Sequence, residues 1–136
     1  MECEIFIMKK KWSSSWKASI QPRKQRKYRK NAPLHVKRTM LHCHIAKDLR
    51  KKYGTRNRSL RTGDKVKILV GDFKGKEGKV SAINTKKLKV YIEGIEHIKK
   101  NGSKVRIPLE PSNLMITMLE KEDKRIKRIK KAVAKT

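Results

Sequence analysis

The chain has 136 residues, of which 39 are lysine or arginine and 12 are aspartate or glutamate, so its formal net charge is +27. This length suits one small domain with tails, and a compact domain with this charge repels itself unless it binds a polyanion. No apolar run approaches the ~18 residues of a transmembrane helix, so the composition predicts a nucleic-acid partner and no membrane span.

The positive charge is concentrated toward the N-terminus. Residues 1–60 contain 18 basic and 3 acidic residues, a net charge of +15, whereas residues 61–119 carry +7 and residues 120–136 carry +5. No acidic residue occurs between Glu4 and Asp48. Because an ordinary solvated surface mixes both signs, a stretch of one sign this long indicates contact with phosphate.

Residues 1–32 are predicted to form a basic extended arm. Six of the eight residues at 23–30 are basic, and too few apolar residues are present to offset the entropy of ordering, so the isolated arm is expected to be disordered. Trp12 and Trp16 flank three serines. These two indoles either stack on RNA bases or pack against protein.

Residues 33–60 are predicted to form a helix and a short basic linker. Asn31 and Pro33 are typical of a helix start, and Gly54 is typical of a helix end. A residue of apolar character recurs at every fourth position, which predicts one buried stripe on a helix over residues 33–53. The stripe consists of Leu41, Ile45, Leu49 and Tyr53.

Residues 61–118 change to an apolar period of two, which predicts five short strands in a small closed or partly closed barrel. The strands are expected at 64–70, 79–83, 88–92, 104–107 and 114–117. Residues expected to share a face within a strand are Val66, Ile68 and Val70, then Val80 and Ala82, then Leu88, Val90 and Ile92, and then Val105 and Ile107. Asn101-Gly102 predicts a hairpin with a type I′ turn.

The segment TGDKVKILVGDFKGKEGKV (62–80) reads as a strand, a glycine-rich turn and a second strand. Gly71 and Gly75 bracket the turn, and glycine permits positive φ or close approach of a nucleic-acid backbone. Lysines in such a turn meet phosphate as point charges. Phe73 either stacks on an exposed base or ribose or packs on the core. The segment resembles the KOW motif, a short module that binds RNA or docks onto RNA-handling machines.

Residues 119–136 are predicted to form a basic C-terminal helix or tail. Its acidic residues precede its basic residues, which complements the helix dipole. The apolar stripe of Ile126, Ile129 and Val133 is thin, so such a helix is marginal without a partner.

The sequence LHCHI at 41–45 raises the question of a metal site. On the predicted helix His42, Cys43 and His44 would diverge by about 100° per residue, so they would not converge on one ion. No second Cys/His cluster completes a zinc site, and no nucleophile–base order or nucleotide-binding fingerprint is present. We therefore predict no metal, no cofactor and no enzymatic activity. Cys3 and Cys43 are expected to be free thiols in a reducing compartment.

Several segments in order along the chain resemble the large-subunit ribosomal protein twenty-four family, called twenty-six in eukaryotic cytosolic ribosomes. They are QPRKQRKY (21–28), NAPLHV (31–36), KDLRKKYG (47–54), the KOW-like segment, YIEG (91–94) and PSNLMIT (111–117). The segment before the barrel resembles the archaeal and eukaryotic branch, and GDFKG (71–75) resembles archaeal members. Residues 1–7 depart from this pattern, which we interpret as a misassigned start or a lineage-specific extension.

The resemblance implies an SH3-like five-stranded barrel in the cytoplasmic large ribosomal subunit, bound to ribosomal RNA and to neighbouring ribosomal proteins. It also implies a role in early subunit assembly and a position near the peptide exit tunnel. In bacterial members the region matching Asn101-Gly102 reaches toward the tunnel exit. Carried over by position, and extended to nearby basic residues, the expected RNA-binding residues are Arg23, Lys24, Arg26, Lys27, Tyr28, Arg29, Lys30, Asn31, His35, Lys37, Arg38, Arg61, Lys65, Lys67, Asp72, Phe73, Lys74, Lys76, Lys86, Lys87, Lys99 and Lys100. The expected turn glycines are Gly63, Gly71, Gly75 and Gly78.

Two other functions fit parts of the sequence. A transcription elongation factor with a KOW motif would share the glycine-rich turn, although such factors carry an additional α/β domain before it, and the residues here are too few and too basic for one. A small chromosomal protein that binds duplex DNA would share the charge. Competition between ribosomal RNA and duplex DNA distinguishes these functions.

Overall fold

The structure is a computed structural model that describes residues 12–120. The α-helices of this part are α1 (Pro22–Asn31), α2 (Leu34–Met40) and α3 (Lys47–Tyr53). The strands are β1 (His42–Ile45), β2 (Asn57–Ser59), β3 (Lys65–Ile68), β4 (Glu77–Asn84), β5 (Lys89–Ile92), β6 (Glu96–Ile98), β7 (Lys104–Arg106) and β8 (Leu114–Met118). Short 3₁₀ helices occupy Ser14–Ala18 and Pro111–Asn113.

Six of the strands form one mixed sheet in the order β2-β1-β8-β3-β4-β5, and β6 and β7 form a separate two-stranded hairpin. Strand β8 pairs parallel with β1 and antiparallel with β3. The prediction of a mainly β fold is confirmed, and the arrangement is consistent with a small barrel-like domain. The predicted number of five strands is wrong, because β1, β2 and β6 were not anticipated.

The core lies on one face of this sheet and is made of alternating apolar residues. The side chains with the lowest exposure are Ile45, Val66, Ile68, Val80, Val90, Ile92, Leu114 and Ile116. Five of these were predicted to share strand faces, and their burial follows from the period of two along a strand. Val70 was expected to continue the first face, but it is 59% exposed because β3 ends at Ile68 and the chain enters the glycine-rich turn.

The predicted helix over residues 33–53 is interrupted by a strand. Helix α2 begins after Pro33 and α3 ends at Gly54, which adopts left-handed φ of 66°, so both predicted helix ends are confirmed. Between the two helices, β1 pairs with β2 and β8. Leu41 and Ile45 fit a helical period of four and a strand period of two equally well. The buried side chain of Cys43 lies between them and shows that the strand period applies.

The predicted extended arm contains a helix at α1. Proline at the first helical position favours a helix start, and the following run of lysine, arginine and glutamine has high helix propensity. The helix also makes tertiary contacts, described below, that sequence patterns do not reveal. The basic residues at 23–30 are therefore arranged on a helix in this structure.

The predicted hairpin at Asn101-Gly102 joins β6 to β7, with His97 paired to Val105, but its turn is not type I′. Gly102 has φ of 78°, whereas Asn101 is not among the non-glycine residues of the described chain with positive φ. The amide of Gly102 donates to the carbonyl of Lys99 at 2.9 Å. This pattern is a type I turn followed by a left-handed glycine, the three-residue alternative to the type I′ loop.

The two ends of the chain lie outside the described residues. The interpretation of residues 1–7 and the predicted helix at 121–136 are therefore not addressed by the structure. Leu119 and Glu120, which were assigned to that helix, follow β8 in non-helical conformation.

Cys43 is only 2% exposed, and burial raises the pKa of its thiol to about 12. In a Cys3→Ser variant, we expect thiol-specific labelling at pH 8 to be slower in the folded protein than in urea by on the order of 10³, because the thiolate is the reactive form. The unfolded sample of the same variant is the control. Equal labelling rates would contradict the burial of this strand.

Candidate nucleic-acid interface

Helix α1 presents a dense cationic surface. Only Tyr28 of this ten-residue helix is buried, and the helix contains six basic and no acidic residues. All six basic side chains are exposed. They are Arg23, Lys24, Arg26, Lys27, Arg29 and Lys30. The like charges on this helix repel one another, and they attract the phosphates of a nucleic acid.

Aromatic and polar contacts hold α1 in place. The rings of Trp12 and Tyr28 lie 5.4 Å apart between centroids, and the ammonium of Lys37 donates to the carbonyl of Lys30 at 2.8 Å. The second contact places a positive charge at the C-terminal end of the helix dipole, where it is stabilising. Tyr28 and Lys37, both predicted to bind RNA, therefore anchor the helix within the protein.

A groove of about 750 Å³ lies beside α2, which we call the α2 groove. Its floor includes the apolar residues Leu41, Leu60 and Ile83. His35, Arg38 and Arg61, all predicted from the sequence, line it. The remaining lining residues are Thr39, His42, Ser59, Thr62, Thr85 and Glu120. The groove thus combines an apolar floor with cations, hydroxyl groups and one carboxylate.

The edge of the α2 groove is fixed by the buried carboxylate of Asp64, which is 3% exposed. One of its oxygens accepts from the amide of Arg61 at 2.9 Å, and the other accepts from the amide of Glu120 at 3.3 Å. Glu120 lies so close to Gly63 that a Cβ there would collide with its carboxylate. Asp64 therefore ties the turn at 61–64 to the end of β8.

Burial raises the pKa of Asp64 above its ordinary value of 3.8, and its amide and arginine neighbours oppose this only in part. The folded state thus binds a proton more readily than the unfolded state, so Asp64 contributes most to stability below pH 3.8 and loses that contribution as pH rises through the folded pKa. The free energy of unfolding of the wild type minus that of Asp64→Asn should therefore increase as pH falls from 7 to 4 in urea titrations.

Glu110 provides a control of opposite sign. The hydrogen bond from Lys89, at 2.8 Å, lowers the pKa of Glu110. Its contribution is therefore present above its ordinary pKa and lost as pH falls through the folded value. The free energy of unfolding of the wild type minus that of Glu110→Gln should therefore decrease as pH falls. Parallel pH profiles for the two variants would contradict the assignment of Asp64 as the buried group.

The glycine-rich turn projects lysines beside a half-buried ring. The amide of Gly75 donates to the carbonyl of Ile68 at 2.9 Å, which closes the turn, and both Gly71 and Gly75 have positive φ. Phe73 packs against the hydrophobic core, and the ammonium of Lys76 lies 5.1 Å from its ring centroid. The ring therefore supports the turn. Asp72, Lys74 and Lys76 are exposed.

The other glycines predicted for this region have different roles. A Cβ at Gly78 would lie 2.6 Å from a methyl group of Ile92 and 2.8 Å from the carbonyl oxygen of Glu93. Gly78 therefore allows β4 to approach β5 closely. Gly63 allows the approach of Glu120 described above.

The remaining predicted lysines are distributed over several surfaces. Lys65 and Lys67 share Glu77, at 3.7 and 3.8 Å, so part of their charge is balanced within the protein. Lys86 and Lys87 are exposed in the turn after β4, and Lys99 and Lys100 are exposed at the start of the β6–β7 turn. Leu88, which follows Lys87, lines a surface groove together with Tyr28 and Arg29 of α1, so the turn after β4 is adjacent to α1.

Some residues of the α2 groove were missed from the sequence. His42 was assigned to a helix, but it lies on β1 and therefore shares a face with His44 while Cys43 points to the other. The helical geometry used to exclude a metal was thus wrong.

Within residues 12–120, no group of three or more histidine, cysteine or acidic residues is arranged to hold a metal ion. No helix of this part is long and apolar enough to cross a bilayer.

Comparison with known proteins gives concordant matches over most of the chain. Residues 19–132 match a family model described as the ribosomal proteins L26 of eukaryotes and L24 of archaea. The large ribosomal subunit protein uL24 of Methanocorpusculum labreanum is 50% identical over 106 residues, which cover 78% of this chain and 88% of the relative. The protein of the same name from Methanosarcina barkeri is 46% identical over 114 residues, which cover 83% and 98%, respectively.

Proposed function

Because the chain belongs to the ribosomal protein family of eukaryotic L26 and archaeal L24, we propose that it is a structural component of the large ribosomal subunit that binds large-subunit ribosomal RNA. The single observation that carries RNA binding is α1, a helix anchored by Tyr28 on which six cations are exposed without an acidic residue. A rigid array of cations releases many counterions when it meets phosphates, which is the main source of affinity for nucleic acid.

The proposal assigns RNA contact to the exposed members of the predicted set. The cations of α1 contact phosphates, and His35, Arg38 and Arg61 extend this surface into the α2 groove. Lys74 and Lys76 contact RNA from a KOW-type turn on an SH3-like barrel formed by residues 61–118. In this organisation the arm before the barrel spans residues 1–32, the helical connection spans 33–60, and the C-terminal tail spans 119–136. The protein acts by binding, without catalysis.

Three finer features of the proposed function come from the family resemblance. The protein acts in the cytoplasm, participates in early assembly of the large subunit, and lies near the peptide exit tunnel beside other ribosomal proteins. The exposed β6–β7 hairpin supports a contact outside the domain. Its six strand residues are all exposed, and an isolated two-stranded hairpin is marginally stable in water.

The test is sedimentation of the native protein through sucrose gradients at increasing salt. We expect the protein to migrate with the large subunit at 100 mM salt and to dissociate at high salt, because binding that neutralises ~6–10 phosphates weakens by on the order of 10³–10⁵ between 50 and 200 mM salt in a simple equilibrium. Migration with RNA polymerase would support an elongation factor instead. Stronger binding to duplex DNA than to ribosomal RNA would also overturn the proposal.

A further inference from the structure

We infer that the α2 groove holds a single unstacked guanosine of the bound RNA. The inference rests on the proposed function and adds the kind of contact and the base. It starts from the composition of the groove, which differs from that of α1. A surface that only contacts phosphates needs cations, whereas this groove also has an apolar floor at Leu41, Leu60 and Ile83.

The dimensions and lining of the groove suit one nucleotide. Its volume of about 750 Å³ is within the range of pockets that enclose small ligands, ~300–1,000 Å³. Specific recognition of RNA usually involves bases that leave the stack and enter such sites. The base would lie on the apolar floor, and the adjoining phosphate would lie near Arg38 and Arg61, whose side chains are exposed at the groove.

Glu120 gives the groove its preference among bases. Its amide donates a hydrogen bond to Asp64, and its carboxylate lies against Gly63. An ionised carboxylate accepts hydrogen bonds through both oxygens. The Watson–Crick edge of guanine presents two adjacent donors, N1–H and the 2-amino group, whereas adenine and cytosine present one amino donor next to an acceptor. The carboxylate therefore matches guanine.

The charge of the groove argues against the following segment of the chain as its occupant. Residues 121–136 contain eight basic and two acidic residues. A segment of this charge does not complement a groove lined by Arg38, Arg61 and two histidines. A nucleotide complements it, because its phosphate is negative and its base is apolar on both faces.

The first experiment fills the groove and observes the RNA. Full-length protein is bound to large-subunit ribosomal RNA transcribed from the genome that encodes this chain, and the RNA is probed by 2′-hydroxyl acylation at single-nucleotide resolution. We expect wild-type protein to change the reactivity of one guanosine that Thr62→Trp leaves unchanged. We also expect Thr62→Trp to lower affinity about tenfold, because the indole would occupy the space of the base and remove its contacts with the groove.

The matched control is Thr55→Trp. Thr55 precedes β2, at the end opposite to the groove residue Ser59, so this variant adds the same side chain away from the groove and should bind with wild-type affinity. Circular dichroism and thermal unfolding establish that both variants fold. An unchanged affinity and footprint for folded Thr62→Trp overturns the inference. Failure of the wild type to bind the RNA overturns the proposed function itself.

The second experiment tests the base and does not depend on the tryptophan variants. The identified guanosine is changed to adenosine, and each RNA is titrated with wild type and with Glu120→Gln. We expect the base change to weaken the wild type about tenfold and to weaken Glu120→Gln by less than threefold, because interacting partners give non-additive losses. Additive losses, or a responding nucleotide other than guanosine, would overturn the assignment of Glu120.

Discussion

Replacing the six basic residues of α1 with glutamine should lower affinity for large-subunit ribosomal RNA by on the order of 10³ at 150 mM salt. Each phosphate contact contributes about 0.7–0.9 to the slope of log affinity against log salt concentration, so the slope should become less steep by about four to five. Glutamine retains high helix propensity, and Tyr28 keeps its contact with Trp12. The loss is thus assigned to charge. Filter binding at four salt concentrations measures both quantities.

A matched pair of triple variants separates the position of the charge from its total. Arg23, Arg26 and Lys30 on α1 are changed to glutamine in one protein, and Lys47, Lys51 and Lys52 on α3 in the other. All six side chains are exposed, and each protein loses three charges from a helix. We expect the α1 variant to lose at least tenfold more affinity. Equal losses would mean that net charge, and not the α1 surface, determines binding.

A second comparison ranks the contribution of the N-terminal residues to RNA affinity against that of the glycine-rich turn. Deleting residues 1–32 should weaken RNA binding more than Lys74→Ala combined with Lys76→Ala, because the deletion removes the α1 surface whereas the double variant removes two charges. The turn would then determine the orientation of the domain on the RNA. The reverse ranking would place most of the affinity in the turn.

The Ile116→Ala variant should lower the free energy of unfolding by about 2–5 kcal/mol. Ile116 pairs with Ile45 of β1 on one side and with Val66 of β3 on the other, and all three side chains are 0% exposed. Because small domains are stable by only about 5–15 kcal/mol, the loss is a large part of the total.

Urea unfolding followed by circular dichroism measures this effect, with Met118→Ala as the control. Met118 lies on the same strand but is 61% exposed, so its truncation should change stability by less than about 0.5 kcal/mol. A loss below about 1 kcal/mol for Ile116→Ala would contradict the central position of β8.

Strands whose apolar residues alternate can be predicted from the sequence. Strands that are defined only by hydrogen bonding to a neighbouring strand cannot. The alternation at Val66, Ile68, Val90 and Ile92 has one interpretation, and the structure confirms it. Strand β2 is Asn-Arg-Ser and contains no apolar residue, so it is defined only by its pairing with β1. Strand β6 is exposed at all three positions, so its sequence does not need to alternate between apolar and polar residues.

The two parts of the candidate interface differ in the same way: the α1 surface is local in sequence and was predictable, whereas the α2 groove is assembled from distant segments and was not. The cations of α1 are adjacent in sequence, and a count of charges locates them. The α2 groove is built from residues near 38, 61, 83 and 120, and the pairing of β8 with β1 and β3 and of β3 with β4 brings these segments together. Glu120 was expected to begin a helix, so nothing in its local sequence indicated a position beside Gly63.

The place of β8 in the sheet also has a consequence for the order of folding. The antiparallel pairs β3–β4 and β4–β5 join neighbours in sequence, whereas β1 reaches its partner β8 only across about seventy intervening residues. Contacts of such long range form late and slow the folding of a chain. During synthesis, α1 is made well before β8, so we expect the basic helix to be exposed before the sheet can close. We therefore expect β8 to join the sheet late and to complete the α2 groove as it does so.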